Sequence, residues 1–277
     1  MHLAMNGATT LRSDLVTDIV TAGHSGFGYI EICNDWSLKL DNFLKQRSVA
    51  DLKALLAMNG VKLASVNSLE NITFAQDPKA LRERCRELAT WCAQLQCPYL
   101  TVGPAPKPLG ASDTELRHEV VAVLRDLVAI AAPLGVGIAY EFLGLPEFPL
   151  NTLEAATAAI RQVNHPALGL VIDTFHWYAG NSSLAAVRQL QQQEIFLVHI
   201  TDAEDLPRYQ LKDSHRLFPG RGAIPIRDVL QAVQATGYDG VVSAEILRPE
   251  YWDWDPLLAT RIAYGTSAVL LKEAGVC

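Results

Sequence analysis

The chain has no apolar run approaching the ~18–20 residues that cross a bilayer, so no membrane partner is expected. Positive charge is scarce: 23 Lys and Arg stand against 30 Asp and Glu, a formal net charge of −7. Phosphate backbones are bound mainly by clustered Lys and Arg, so a nucleic-acid partner is not expected either. Cysteine is sparse, with 5 in 277 residues and no C-x-x-C pair. An odd number of unpaired thiols in a chain this long predicts a reduced, cytoplasmic protein. The opening Met1–Asn6 lacks the basic region of a signal peptide, which fits that location. Cys85 and Cys92 fall on one predicted helix face and read as packing residues, and no cysteine is placed as a nucleophile. Three phosphate or acyl-transfer signatures are missing as well. There is no Walker loop, no G-x-S-x-G elbow, and no G-x-G-x-x-G turn, since the first strand candidate runs into Gly7-Ala8-Thr9-Thr10.

What is present suits a large core: 49% of residues are hydrophobic and 19% charged, which leaves little room for extensive disorder. No linker or low-complexity tract interrupts residues 1–277, which therefore read as a single domain. Eight short β-branched runs recur every ~30 residues with helical stretches between them, the spacing of a βα repeat. They are His2–Asn6, Tyr29–Cys33, Val61–Val66, Tyr99–Val102, Val136–Tyr140, Leu168–Ile172, Ile195–Val198 and Gly240–Ala244. Leu52, Leu55, Leu56 and Met58 mark one helix, and Leu116, Val120, Leu124, Leu127 and Ile130 another. Gly60, Gly135 and Gly237 stand just past helix ends, where a left-handed residue is wanted. Eight repeats in 277 residues predict an α/β fold, a closed (β/α)₈ TIM barrel, over a doubly wound open sheet.

Four polar residues end apolar strands: Glu141, Asp173, His199 and Glu245. Parallel strands bring the groups at their carboxyl ends to one face, so these four are candidates to meet. Three carboxylates and an imidazole, without thiolate, suit one divalent ion: Mn²⁺, Zn²⁺, Mg²⁺ or Co²⁺. Three of the four also have a plainer role. Glu141 could be a salt-bridged rim carboxylate, Asp173 the N-cap of the next helix, and His199 a packed core imidazole. His176 could be a fifth ligand, a hydrogen-bond donor to substrate, or a packed histidine. Arg216 offers a fixed fork of donors for a substrate oxygen. Glu141 and Glu245 could exchange a proton with a carbon acid. Asn67, Glu70 and Glu147 lie near strand ends and could orient hydroxyls, although Glu70 reads better as a solvated loop residue. Phe218-Pro219-Gly220-Arg221-Gly222 holds a lone Gly-x-Gly, better suited to a turn than to a phosphate cradle. The segment Tyr251-Trp252-Asp253-Trp254 could cover a site edge or a neighbouring subunit, so a homo-oligomer is possible.

With these residues in order, the chain resembles the xylose-isomerase-like TIM barrels, the superfamily of sugar isomerases, ketose 3-epimerases and endonuclease IV. The segments Glu141-Phe142-Leu143-Gly144, Asp173-Thr174-Phe175-His176, Val198-His199-Ile200-Thr201-Asp202 and Ala244-Glu245-Ile246-Leu247-Arg248-Pro249-Glu250-Tyr251 are most similar to the inosose isomerases within it. The resemblance implies that Glu141, Asp173, His199 and Glu245 bind one catalytic metal. It implies that His176 and Arg216 contact substrate, and Glu147 matches a glutamate used by the 3-epimerases. The implied activity is interconversion of inososes, 2-keto-myo-inositol to 1-keto-D-chiro-inositol, through a cis-enediolate, with Glu141 or Glu245 as base and His176 and Arg216 assisting. The partner would be a small keto sugar or inosose. Ketose 3-epimerase and hydroxypyruvate-type isomerase are the enzymatic alternatives, and a sugar- or inositol-binding barrel the non-enzymatic one. Asn67-Ser68 and Gly103-Pro104 supply none of the extra histidines that a three-metal endonuclease centre needs.

Overall fold

In the computed structural model, residues 1–276 are described; Cys277 lies outside the described residues. Eight parallel strands form the expected closed ring. They are β1 His2–Asn6, β2 Tyr29–Cys33, β3 Lys62–Leu69, β4 Tyr99–Val102, β5 Gly137–Glu141, β6 Leu168–Asp173, β7 Ile195–Ile200 and β8 Val241–Ala244. Each pairs with its sequence neighbours, and β8 closes on β1 through His2↔Val241 to Met5↔Ala244. The strand runs read from the sequence match to within a few residues. The differences matter for chemistry: β5 and β6 include Glu141 and Asp173, so these acids are fixed by sheet pairing rather than carried on loops.

Strand side chains alternate between faces with a period of two. In β5 the set Gly137, Ala139, Glu141 faces one way; in β6 it is Gly169, Val171, Asp173. The middle members, with Ala4, Ala64 and Leu197, pack together inside the barrel. Below them, small residues make room for aromatics. A methyl on Gly169 would stand 2.3 Å from the Phe196 ring, and that ring stacks on Tyr99 at 4.5 Å. The barrel is thus plugged at its base, and its carboxyl-terminal mouth is left for polar groups.

Helices cover the outside, where a core of Leu, Ile and Val joins them to the strands' outer faces. The helix Val49–Met58 buries Leu52 and Leu56, but Met58, read as part of its apolar stripe, is 83% exposed. Cys85 and Cys92 are buried on the helix Pro78–Leu95, as packing residues should be. Among the described residues no helix is long and apolar enough to cross a membrane. Beyond the repeat pattern, β7 is followed by a short antiparallel ribbon, Asp202–Ala203 against Arg216–Leu217. Asp202 Oδ1 accepts from the backbone of Ala203 and Ile224 and pins the base of this loop. Gly222 packs so tightly there that an added methyl would meet the Ala203 carbonyl at 2.0 Å. The Gly-x-Gly segment is therefore a turn, as its sequence favours.

Candidate metal centre and its cavity

Glu141, Asp173, His199 and Glu245 all reach the mouth of the barrel, and one ligand atom from each lies within 4.8 Å of the others. All four are buried. His199 Nδ1 lies 3.0 Å from Glu141 Oε1, 3.3 Å from Glu245 Oε2 and 3.9 Å from Asp173 Oδ2. The alternation explains the convergence, since each strand turns its last inward position toward the same axis. The donor set fits a divalent cation of borderline character: oxygen and nitrogen atoms, buried and close enough to share one ion.

Asp173 does two jobs with two oxygens. Oδ1 accepts from the backbone of Phe175 at 2.5 Å and His176 at 3.0 Å, capping the helix Thr174–Ala179. Oδ2 faces Arg216 Nη1 at 2.6 Å. The N-cap and the ligand readings of this residue are therefore compatible.

Arg216 is fully buried over the Phe175 ring. Its Nε donates to Asp213 at 3.0 Å and its Nη2 lies 3.1 Å from His176 Nε2. An arginine only donates, so His176 Nε2 must accept, and the neutral ring carries its proton on Nδ1. That Nδ1 is buried with no partner among the described residues. It is a spare donor in a residue that lines the cavity.

Two residues of the centre were not among the sequence candidates. Glu31, in the middle of β2, places Oε2 at 2.8 Å from His199 Nε2, near enough for an ion pair though off the N–H direction. Ser65 holds its other oxygen at 2.5 Å. Asn6 donates to Glu31 at 3.3 Å and to Glu245 at 3.0 Å. The signal for Glu31 was available: an acid flanked by Ile30 and Ile32 is as odd as Glu141.

The charges interact strongly. Burial pushes Glu141 up to about 8, helped by Glu245 and Asp173 and opposed by His199. Burial would raise Asp173 too, but Arg216, His176 and His199 overcome it and hold Asp173 well below the usual carboxylate range. For His199, burial disfavours the proton, yet Glu31, Glu141 and Glu245 raise its affinity well above an ordinary imidazole. Burial, with Arg216 nearby, lowers His176 and keeps it neutral. Cys33 lines the same cavity, but burial pushes its thiol up to about 12, so it offers no thiolate.

The cavity beside this centre has about 710 Å³ of empty space continuous with solvent. Glu141, His176, Arg216, Glu245 and Asn67 line it, with Trp36 and Leu247 among its apolar walls. Asn67 is engaged with Glu245 Oε1 at 3.3 Å. Glu147 is not brought in. Its side chain is exposed, and what ties its loop is its backbone carbonyl, which accepts from Lys107 at 2.8 Å. Glu70, read as a solvated loop residue, lies half-buried on the cavity wall instead. The segment Tyr251–Trp254 packs on the barrel, with Tyr251 stacked on Phe218 at 4.4 Å and Trp252 donating to the Ala8 carbonyl.

Known proteins share this plan. A family model described as "Xylose isomerase-like TIM barrel" matches residues 20–265. The inosose isomerase of Bacillus velezensis is 36% identical over 256 residues, 91% of this chain and 90% of its own. That of Halalkalibacterium halodurans is 32% identical over 276 residues, 99% of this chain and 97% of its own. The crystal structure of an IolI protein with a bound zinc atom superposes with a TM-score of 0.93 at 32% identity, covering 99% of both chains.

Proposed function

The chain belongs to the xylose isomerase-like TIM barrel family, and from that premise we propose that it is a divalent-metal-dependent isomerase of inososes. The observation that carries the reading is the buried convergence of Glu141, Asp173, His199 and Glu245 within 4.8 Å, beside a cavity that opens to solvent. Full-length likeness to inosose isomerases supports the substrate, and likeness to a zinc-bound structure supports the ion.

Glu141, Asp173, His199 and Glu245 would hold the metal, whose chemistry is to polarise the ketone and stabilise negative charge on its oxygen. The protein's own groups do the rest. Glu141 or Glu245 takes the proton from the carbinol carbon next to the ketone and returns it to the former carbonyl carbon, through a cis-enediolate, while the proton of the carbinol hydroxyl passes to the former ketone oxygen. His176 offers its Nδ1–H to a substrate oxygen, while Arg216 fixes the ring that does so. Asp173, held ionised by Arg216, stays a ligand and takes no proton.

Proton NMR in D₂O tests this, with the protein stripped of metal and reloaded with Zn²⁺, Mn²⁺ or Mg²⁺. The reading expects 2-keto-myo-inositol to exchange its α-proton and convert only in reloaded protein. Conversion of fructose or hydroxypyruvate in its place would reassign the substrate. Binding without solvent exchange in every metal form would make the barrel a sensor and refute the enzymatic reading.

A further inference from the structure

Glu70 is the first residue beyond β3, and β3 lies across the closed ring from β7, which carries His199. Its carboxyl group rests against Gly103, the first residue beyond β4. A methyl added at Gly103 would stand 2.3 Å from Glu70 Oε2 and 2.8 Å from its Cδ. The glycine opens the seat in which this side chain sits.

Three of the other acids lining the cavity have side-chain partners: Glu141 has His199, Asp213 has Arg216, and Glu245 has Asn6 and Asn67. The Glu70 carboxyl group makes no hydrogen bond or ion pair with any described residue. No cation balances it either. Burial, then the charges of Glu141, Asp35, Glu245 and Asp213, all favour its protonated form. A neutral carboxylic acid presents one donor and further acceptor capacity at one point. Adjacent hydroxyls on a ring demand that combination.

We propose that Glu70 is a substrate-binding residue that grips neighbouring hydroxyls of the substrate ring, with Gly103 as its seat. The inference rests on the polyol-ketone reading above and extends it. A grip on hydroxyls that do not react stabilises ground state and transition state alike and belongs in KM rather than kcat.

The test is steady-state kinetics of the zinc-loaded protein with 2-keto-myo-inositol, beside calorimetric binding of unreactive myo-inositol. Removing the acid leaves two substrate groups unpaired, so Glu70→Ala should raise KM and the myo-inositol Kd by ~10–100-fold with kcat little changed. Glu70→Gln keeps a donor and an acceptor and should stay within about threefold of the parent. Gly103→Ala should reproduce the Glu70→Ala loss by displacing the carboxyl group. Glu70→Ala/Gly103→Ala should lose no more than Glu70→Ala alone. Unchanged KM and Kd in Glu70→Ala, or a glutamine that fails to restore them, would overturn the inference while inosose turnover by the parent stands. A parent that neither binds nor converts the inosose overturns the functional reading, and this inference with it.

Discussion

Chelated protein should lose stability as the pH rises from about 5 to above 8, and replacing Glu141 with Gln should remove much of that loss. Glu141 rises from an ordinary 4.5 to about 8 in the folded chain because it is buried among Glu245 and Asp173. Between those two values the folded protein keeps a proton that the unfolded chain has released. Stability then falls with pH, since the unfolded state binds fewer protons. His199 acts in the same sense above about 6.5, because its folded form also holds a proton more tightly than the unfolded chain does. Asp173 and Glu31 have depressed proton affinities, and their contributions are lost only as the pH falls into the acid range. At about 1.4 kcal/mol per pH unit, the Glu141 rise corresponds to about 5 kcal/mol, shared over the cluster it forms with Glu245 and His199. Urea unfolding in a chelator at four pH values from 5 to 8.5 measures it. Saturating zinc should flatten the profile, because ligation requires the deprotonated carboxylate. A Glu141→Gln profile as steep as the parent's, or stability that rises with pH through this window, would refute the electrostatic account of the centre.

Three further outcomes follow from the contacts. His176→Ala removes the spare Nδ1 donor and should cut saturated turnover by ~10²–10³ while zinc content, measured by atomic emission, stays near one per chain. Glu31→Gln should weaken zinc by ~10–100-fold in competition with a chromophoric chelator, because Glu31 holds the far nitrogen of His199; unchanged affinity would make Glu31 a bystander. Lys39 and Asp18 form a buried pair at 2.6 Å. Lys39→Met should cost ~3–5 kcal/mol, a fall of roughly 5–9 °C in Tm by the usual unfolding entropy per residue, and Lys39→Met/Asp18→Leu should recover most of it.

The barrel was legible because its evidence is local: eight apolar runs at even spacing, each followed by a helical stretch. The four convergent residues were legible because period-two alternation puts the last inward position of each strand on a common axis. Glu31 obeyed the same rule but stood mid-strand, where only the inward face of β2, not its end, marks it. Asn6 looks like an ordinary turn residue, and its side chain does accept from Ala8, yet its amide also reaches two carboxylates of the centre. Loop residues were harder. Glu70 and Glu147 look alike in sequence, but which of them faces the cavity depends on the path of a loop that no periodicity encodes. The two-residue ribbon that buries Arg216 is too short to register as a strand pair, so how deeply the guanidinium sits could not be foreseen.

The charge count suits these residues to holding a metal rather than to a salt-bridged core. Glu31, Glu141, Asp173 and Glu245 bring four carboxylates against one guanidinium, Arg216, and one imidazole that can be charged, His199. Ionised throughout, the buried cluster would carry two excess negative charges, which a low-dielectric interior does not tolerate. A proton retained on Glu141 relieves one of them, consistent with its shift toward 8. A dication displaces the extra proton of His199 as it binds, leaves a single excess charge with every carboxylate ionised, and so lets Glu141 ionise. Protons and metal therefore compete for the same carboxylate, and that competition links the stability profile to metal binding.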